Sequence, residues 1–324
     1  MPTFLVSFPN QSTPLARIFC LAAVDTDSGT VRWIRSGATA GDLGTTGLAL
    51  IGDHLYCVIQ SKKRPRLNVI DTRSWRIVQS LRFRKVGDPH SIAVHAGDLL
   101  VVSSRDNAVY RMRRHGWRVL GEELVRRFPG TSATTDDIHV NSICTMGDAV
   151  LVTVFGRRAP DGRWACCGKA IDLWTGATMV QGLSQPHSLG HADGRVFLAS
   201  SSSGAVWLGT PAGPREWAMR TYAVGGYPRG LACRGGEVYV AISAPRTISK
   251  STGRPLPGTV PPHPVQIVRL NPATGRTEPL ADLTAHGGEI YDILLWDRPL
   301  PPPTAAPTRS PFLERMAAWR ARLA

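Results

Sequence analysis

The chain of 324 residues has no CxxC pair, no GxSxG, no GxxxxGK[ST] loop and no GxGxxG. These absences remove motif support for a zinc ribbon, a serine hydrolase, a P-loop NTPase and a dinucleotide enzyme. No uninterrupted apolar run approaches the length that spans a bilayer. The run Phe4-Leu5-Val6-Ser7-Phe8 is cut short by Pro9-Asn10-Gln11 and has no basic flank, so it does not read as a signal peptide. Cysteine is sparse, with six residues, and three sit within apolar runs. They read as buried thiols in a reducing cytoplasm, the expected compartment, with the adjacent Cys166-Cys167 in a loop. Acidic residues are few: 24 Asp+Glu face 38 Lys+Arg, a formal charge of +14. The basic pairs Arg113-Arg114, Arg126-Arg127 and Arg157-Arg158 are scattered and lack interleaved aromatics, so no specific nucleic-acid track is expected. The excess reads as a solvated basic surface with some attraction for polyanions, acidic lipid or an anionic substrate.

What the chain does have is a repeat. Asp88-Pro89-His90-Ser91-Ile92-Ala93 has weaker copies at Thr46-Gly47-Leu48-Ala49, Asn141-Ser142-Ile143-Cys144, Pro186-His187-Ser188-Leu189, Pro228-Arg229-Gly230-Leu231-Ala232 and Tyr291-Asp292-Ile293-Leu294. The steps from Thr46 through His90, Asn141, His187 and Arg229 to Tyr291 are 44, 51, 46, 42 and 62 residues. Periods of this size mark propeller blades or helical arrays. After each copy comes a turn such as Gly52-Asp53, Gly97-Asp98 or Gly235-Gly236, then a second β-rich apolar run, then a third and often a fourth. Turn dipeptides between short apolar runs make hairpins, and four strands per unit make a blade.

The expected fold is therefore all-β, a six-bladed propeller over residues 1–297. The N-terminal strands have no opening strand before them, and Glu289–Trp296 is an opening strand with nothing after it. The two ends should share one blade, the C-terminal strand innermost, which removes a free sheet edge. A Pro-rich linker is expected over 298–309 and a short amphipathic helix over 310–324, with Phe312, Met316, Trp319 and Leu323 on one face. That helix packs on the propeller, or meets a protein partner or a membrane. The stretch from Ala244 to Pro264 is a long insertion, either a lid or a disordered loop. A smaller insertion spans Arg157 to Trp164.

The opening strand of each blade lines the axis, so the repeat predicts the lining. One layer is Thr46, His90, Asn141, His187, Arg229 and Tyr291; a second, two residues earlier, is Gly44, Asp88, His139, Gln185, Tyr227 and Glu289. His90, His139 and His187 with Glu289 are candidate ligands for a divalent metal such as Fe, Zn, Mn or Cu. The same residues, with Tyr227 and Tyr291, are candidates for acid/base work without metal. Arg229 is the candidate anchor for an anionic group, with Asn141, Gln185, Asp88 and Thr46 as further substrate contacts. Asp136 and Asp137 either cap a turn or face the channel mouth.

The strings PHS at 89–91 and 186–188, DIHVNSI at 137–143, YPRGLA at 227–232 and GGEIYDI at 287–293 resemble those of a bacterial family of six-bladed propellers of unknown function. That resemblance implies the fold. The proline-histidine openings are also distantly similar to virginiamycin B lyase-type propellers, which implies a metal-dependent lyase acting on a lactone. Gluconolactonase-type propellers also hold an axial metal, but on Glu, Asn and Asp where this chain has mainly His. Two functions are thus expected side by side. One is a metal-assisted lyase, isomerase or lactone hydrolase acting on a small anionic molecule; the other is a non-catalytic propeller that serves as a binding or interaction scaffold.

Overall fold

The structure, a computed structural model, describes residues 1–10, 18–158, 164, 167–213, 216–245 and 263–303. The chain begins with β1 (Thr3–Ser7), β2 (Leu21–Asp25) and β3 (Val31–Trp33). Blade one is β4 (Gly44–Ile51), β5 (His54–Gln60), β6 (Arg66–Asp71) and β7 (Arg76–Arg82). Blade two is β8 (Pro89–His95), β9 (Asp98–Ser103), β10 (Ala108–His115) and β11 (Arg118–Arg127). Blade three is β12 (Val140–Met146), β13 (Ala149–Val154), β14 (Gly168–Asp172) and β15 (Thr178–Leu183). Blade four is β16 (Pro186–Ala192), β17 (Arg195–Ser200), β18 (Ala205–Gly213) and β19 (Glu216–Ala223). Blade five is β20 (Tyr227–Arg234), β21 (Glu237–Ser243), β22 (Gln266–Leu270) and β23 (Thr277–Asp282). The last strand is β24 (Ile293–Trp296).

These make six four-stranded antiparallel sheets, and in the sixth the order is β24-β1-β2-β3. Thr3 pairs with Trp296 and Val6 with Ile293, so the late strand is innermost and the early ones lie outside it. The opening strand expected over Glu289–Trp296 begins only at Ile293. Tyr291 and Asp292 still exchange backbone hydrogen bonds with Ser7, which keeps them in line with the sheet.

Each sheet is covered on both faces by its neighbours, which is why second strands such as Leu99-Leu100-Val101-Val102 are continuously apolar instead of alternating. Six apolar clusters fill the six gaps between blades. The gap between the shared blade and blade five, for example, packs Phe4 edge-on to Tyr239. Residues 298–303, expected as linker, are docked instead: Leu300 packs beside Trp296 and Trp75, and Arg298 Nη1 donates to Asp53 at 2.7 Å. The helix expected over 310–324 lies outside the described residues, as does most of the insertion that begins at Ala244.

In blades one to five the ladder between first and second strands slips once, at residues 46–47, 90–91, 141–142, 187–188 and 229. A bulge re-aims side chains, and here it turns its first residue, Thr46, His90, Asn141, His187 or Arg229, toward the axis. The residue after it must be small, because inner strands crowd together. A Cβ on Gly47 would lie 2.8 Å from the backbone nitrogen of Ile92, in the next blade. Gly47, Ser91, Ser142, Ser188 and Gly230 meet that demand, and Asp292 occupies the corresponding place in the shared blade.

Candidate functional site

Inner strands start on one face of the ring, and eleven of the twelve axis residues read from the sequence collect there in two tiers, while Gly44 packs against the backbone of Phe8 and Pro9. The deeper tier, Thr46, His90, Asn141, His187, Arg229 and Tyr291, is buried throughout. Asp88, His139, Gln185, Tyr227 and Glu289 stand above it, partly exposed. His139 and Gln185 hold positive φ, 49° and 48°, an uncommon conformation for residues with side chains and one that clusters at functional sites.

Tyr291 closes the floor. Its ring lies 5.9 Å from that of His90 and 6.1 Å from that of His187, and its hydroxyl donates to Asn141 Oδ1 at 3.2 Å. The axis is thus a cup open on one face, with the buried Asn141 Nδ2 left without a hydrogen-bond partner among the described residues.

The partners of the three imidazoles assign their tautomers. His90 Nδ1 lies 2.9 Å from the carbonyl of Asp88, which can only accept, so Nδ1 carries the hydrogen. Ser104 Oγ, 2.8 Å from the same nitrogen, passes its own proton to Val140 O. His187 repeats the arrangement with the carbonyl of Gln185 at 3.0 Å and Ser201 Oγ at 2.8 Å. His139 Nδ1 donates to Asp136 Oδ2 at 2.7 Å, and Arg158 Nη2 reaches the same oxygen at 3.2 Å. With all three Nδ1 edges tied back to the protein, each neutral ring keeps its lone pair on Nε2.

Burial, foremost, holds the pKa of His90 below its ordinary value, and the nearby His139 adds to this against the opposing pull of Asp88. Burial would raise the carboxyl of Asp136, but His139 and Arg158 outweigh it and hold it low. The phenol of Tyr291 is pushed well above 10, chiefly by burial and against the pull of Arg229.

The fourth wall is a guanidinium between two phenol rings. Arg229 Cζ lies 5.2 Å from the Tyr227 ring and 5.5 Å from that of Tyr291, and Nη1 pairs with Glu289 Oε2 at 3.0 Å. Asn10 Nδ2 donates to the same carboxylate oxygen at 3.0 Å. Tyr227 donates to Gln185 Oε1 at 2.7 Å, and Gln60 Nε2 to Asp88 Oδ1 at 2.6 Å. Thr46, expected to touch substrate, turns its hydroxyl to Pro89 O at 3.3 Å and ties blades one and two together.

The expected metal ligands do not assemble as a set. His90 and His139 are neighbours, with ring centroids 4.9 Å apart. Phe155, however, stands between His139 and His187, 4.3 Å from one and 5.1 Å from the other, while Glu289 is held by Arg229. Among the described residues no three His, Cys, Asp or Glu side chains converge on a point that could hold an ion. The pinned Nδ1 edges match those of metal-bound histidines, but a closed site needs three or four ligands on one point.

Sequence reasoning missed Ser104, Ser201, Phe155, Trp164 and Gln60, and left Asp136 between two roles. Trp164 stacks under Arg158 Cζ at 4.3 Å and packs 5.2 Å from His139, completing the aromatic wall. A signal was present: Gln60, Ser104, Phe155, Ser201 and Ser243 each follow their blade's axis residue by 14 positions. Asp137 serves the turn, accepting from Thr135 Oγ1 at 2.8 Å. Of the thiols, Cys144 and Cys233 are pushed up to about 12 by burial, which leaves them unreactive, while Cys166 lies outside the described residues.

Comparison with known proteins agrees with the fold. A chain of the nidogen/laminin complex superposes with a TM-score of 0.62 at 11% identity, covering 91% of this chain and 98% of that one. A protein of unknown function from Bacteroides caccae gives 0.61 at 14%, covering 92% and 100%. Virginiamycin B lyase from Staphylococcus aureus gives 0.45 at 11%, covering 74% and 70%, too distant to inform the chemistry. No curated protein matches. The sequence profile of the family described as a domain of unknown function, DUF4915, matches residues 86–300, two thirds of the sequence and most of the propeller, and the chain belongs to that family.

Proposed function

We propose that the cup is an acid/base site for a small anionic molecule, and that its reaction is a proton transfer of the lyase, isomerase or lactone-hydrolysis kind. The observation that supports this most is the pinning of the Nδ1 edges of the neighbouring His90 and His139 by acceptors, which makes Nε2 the basic atom of each ring. His139 takes the part of base. Asp136, ionised and in contact with its far nitrogen, stabilises the imidazolium formed when Nε2 accepts a proton. His90, kept neutral by burial, accepts a hydrogen bond. Tyr291 keeps its proton, which it donates to Asn141 in the floor, and Tyr227 is the more accessible phenol. Arg229, a fixed planar cation paired with Glu289 through Nη1, takes the part of anchor for a substrate carboxylate, sulfate or phosphate. No step is routed through a metal, because no three candidate ligands converge among the described residues.

The test is a panel of small carboxylates, sugar acids, lactones and phosphate esters. Thermal shift finds the binders, and NMR in D2O then follows their conversion and the deuteration of carbons next to carbonyl or carboxylate. His139→Gln is expected to bind the converted compound and to turn it over at least about 100-fold more slowly. Turnover undiminished in both His139→Gln and Asp136→Asn would remove the dyad from the mechanism. A panel with no binder would favour the non-catalytic scaffold.

A further inference from the structure

Two loops on the face of the cup carry cations that the proposed chemistry does not use. The β5–β6 loop contains Lys62, Lys63 and Arg64, and the segment leading into β8 contains Arg84 and Lys85. They are joined: Phe83 N–H donates to Pro65 O at 3.0 Å, and Arg82 Nη2 lies 3.5 Å from Lys63 O. The turn between β9 and β10 adds Arg105, packed so closely on Gly87 that a Cβ there would meet its Nε at 2.2 Å.

All six cations are exposed, and among the described residues none of them forms an ion pair. Two carboxylates border these cations, and both already accept hydrogen bonds. Glu122 accepts the backbone N–H groups of Arg84, Lys85 and Val86, and Asp88 accepts from Gln60. Gln60 is also the link to the cup, because Asp88 carries the carbonyl that orients His90. Like charges held together with no partner raise the local potential and favour a multiply charged anion.

The composition of the sector narrows the class of anion. A surface that docks on membranes adds apolar side chains to its cations, and one that binds single-stranded nucleic acid adds exposed rings for bases to stack on. Here Phe83 and Val86 are buried, and the large apolar side chains exposed among the described residues, such as Ile77, Leu120 and Trp174, lie on outer strands or on the opposite face. We propose that this sector receives the phosphate groups of a soluble ligand, and that the substrate of the cup is therefore a phosphorylated small molecule. The inference rests on the reading of the cup as a site for a small anion.

Tripolyphosphate is the probe, titrated calorimetrically into the full chain at about 50 and about 300 mM salt. The proteins compared are the wild type, the loop variant K62Q/K63Q/R64Q/R84Q and His139→Gln. The wild type is expected to bind, more weakly at the higher salt. The loop variant, with an unchanged melting temperature, should lose about tenfold or more in affinity, and His139→Gln should bind as the wild type does. Equal affinity in the loop variant, or no binding at the lower salt, overturns the proposal. So does tighter binding of phosphatidylserine vesicles or a single-stranded oligonucleotide, lost in the same variant, which gives the surface to a membrane or a nucleic acid. Because the readout is binding by exposed loops, a negative result leaves turnover through His139 standing. Loss of turnover in His139→Gln likewise leaves this binding intact.

Discussion

Tyr291 and Asn141 stand on opposite blades and meet across the axis, the phenol donating to the amide oxygen at 3.2 Å. One side chain thus spans the ring and supplies both the floor of the cup and a tie between its halves. Tyr291→Phe strips the donor from a buried amide and is expected to cost roughly 1–3 kcal/mol in urea unfolding. Tyr291→Ala also opens a cavity and should cost about 3–5 kcal/mol. Unchanged stability in both variants would mean that the contact across the axis does not hold in solution.

Asn107, in the turn between β9 and β10, does not line the axis yet controls the cup's base. Buried and with a φ of 50°, it donates to Ser132 O and Thr135 O and accepts from the N–H groups of Asp137 and Ile138. These four bonds shape the loop that sets Asp136 against His139. Asn107→Ala is expected to cost about 2–4 kcal/mol. In the same variant the ¹⁵N spectrum of His139 should change from one Nδ1–H tautomer to a mixture. A single tautomer in the variant would show that the loop holds its shape without Asn107.

Two buried groups set opposing pH dependences. The carboxyl of Asp292 is raised to about 7, chiefly by burial, although it accepts the N–H groups of Leu48 and Ile293. Its folded pKa lies above the unfolded value of about 3.9, so its contribution is fully present below that value and is lost as pH rises toward 7. His90 runs the other way, its folded pKa lying below the unfolded one. Its contribution is present above about 6.5 and is lost as pH falls through the folded value. In denaturant titrations from pH 4 to 8, Asp292→Asn should gain on the wild type as pH rises, by up to a few kcal/mol. His90→Asn should gain on it as pH falls. Parallel curves for wild type and variants would contradict both assignments.

Metal content separates the two chemistries that the sequence left open. Elemental mass spectrometry of the wild type and the His90→Ala/His187→Ala double variant is expected to give the same sub-stoichiometric metal in each, because Phe155 keeps His187 from joining the other two imidazoles. Near-stoichiometric metal that disappears in the double variant would restore a metal-dependent mechanism.

The fold and the axis were legible because the repeat carries them. Turn dipeptides and the small residue beside each axis position recur at intervals close to the blade period, so counting from His90 finds His187 and Arg229. The shared blade followed from an opening strand without successors. Less legible were the residues that define the chemistry of the rim. Asp136, Trp164 and Arg158 lie on loops whose length differs from blade to blade, so no register predicts what they meet. Ser104, Ser201 and Phe155 did share a register, at the end of the second strand, but they look there like ordinary strand-end residues. The metal reading rests on three imidazoles, and the sequence does not show that Phe155 stands between His139 and His187.

Pairing β1 with β24 also imposes a timetable. Ser7 and Asp292 are 285 positions apart, so β1 leaves the ribosome long before its inner partner exists. At ordinary rates of synthesis that is about 15–60 s, during which an apolar edge stays open to strands of other nascent chains. Closure is then a search over a very long loop, slow compared with forming any single blade. The yield of folded protein in a cell should therefore depend on how quickly β24 arrives.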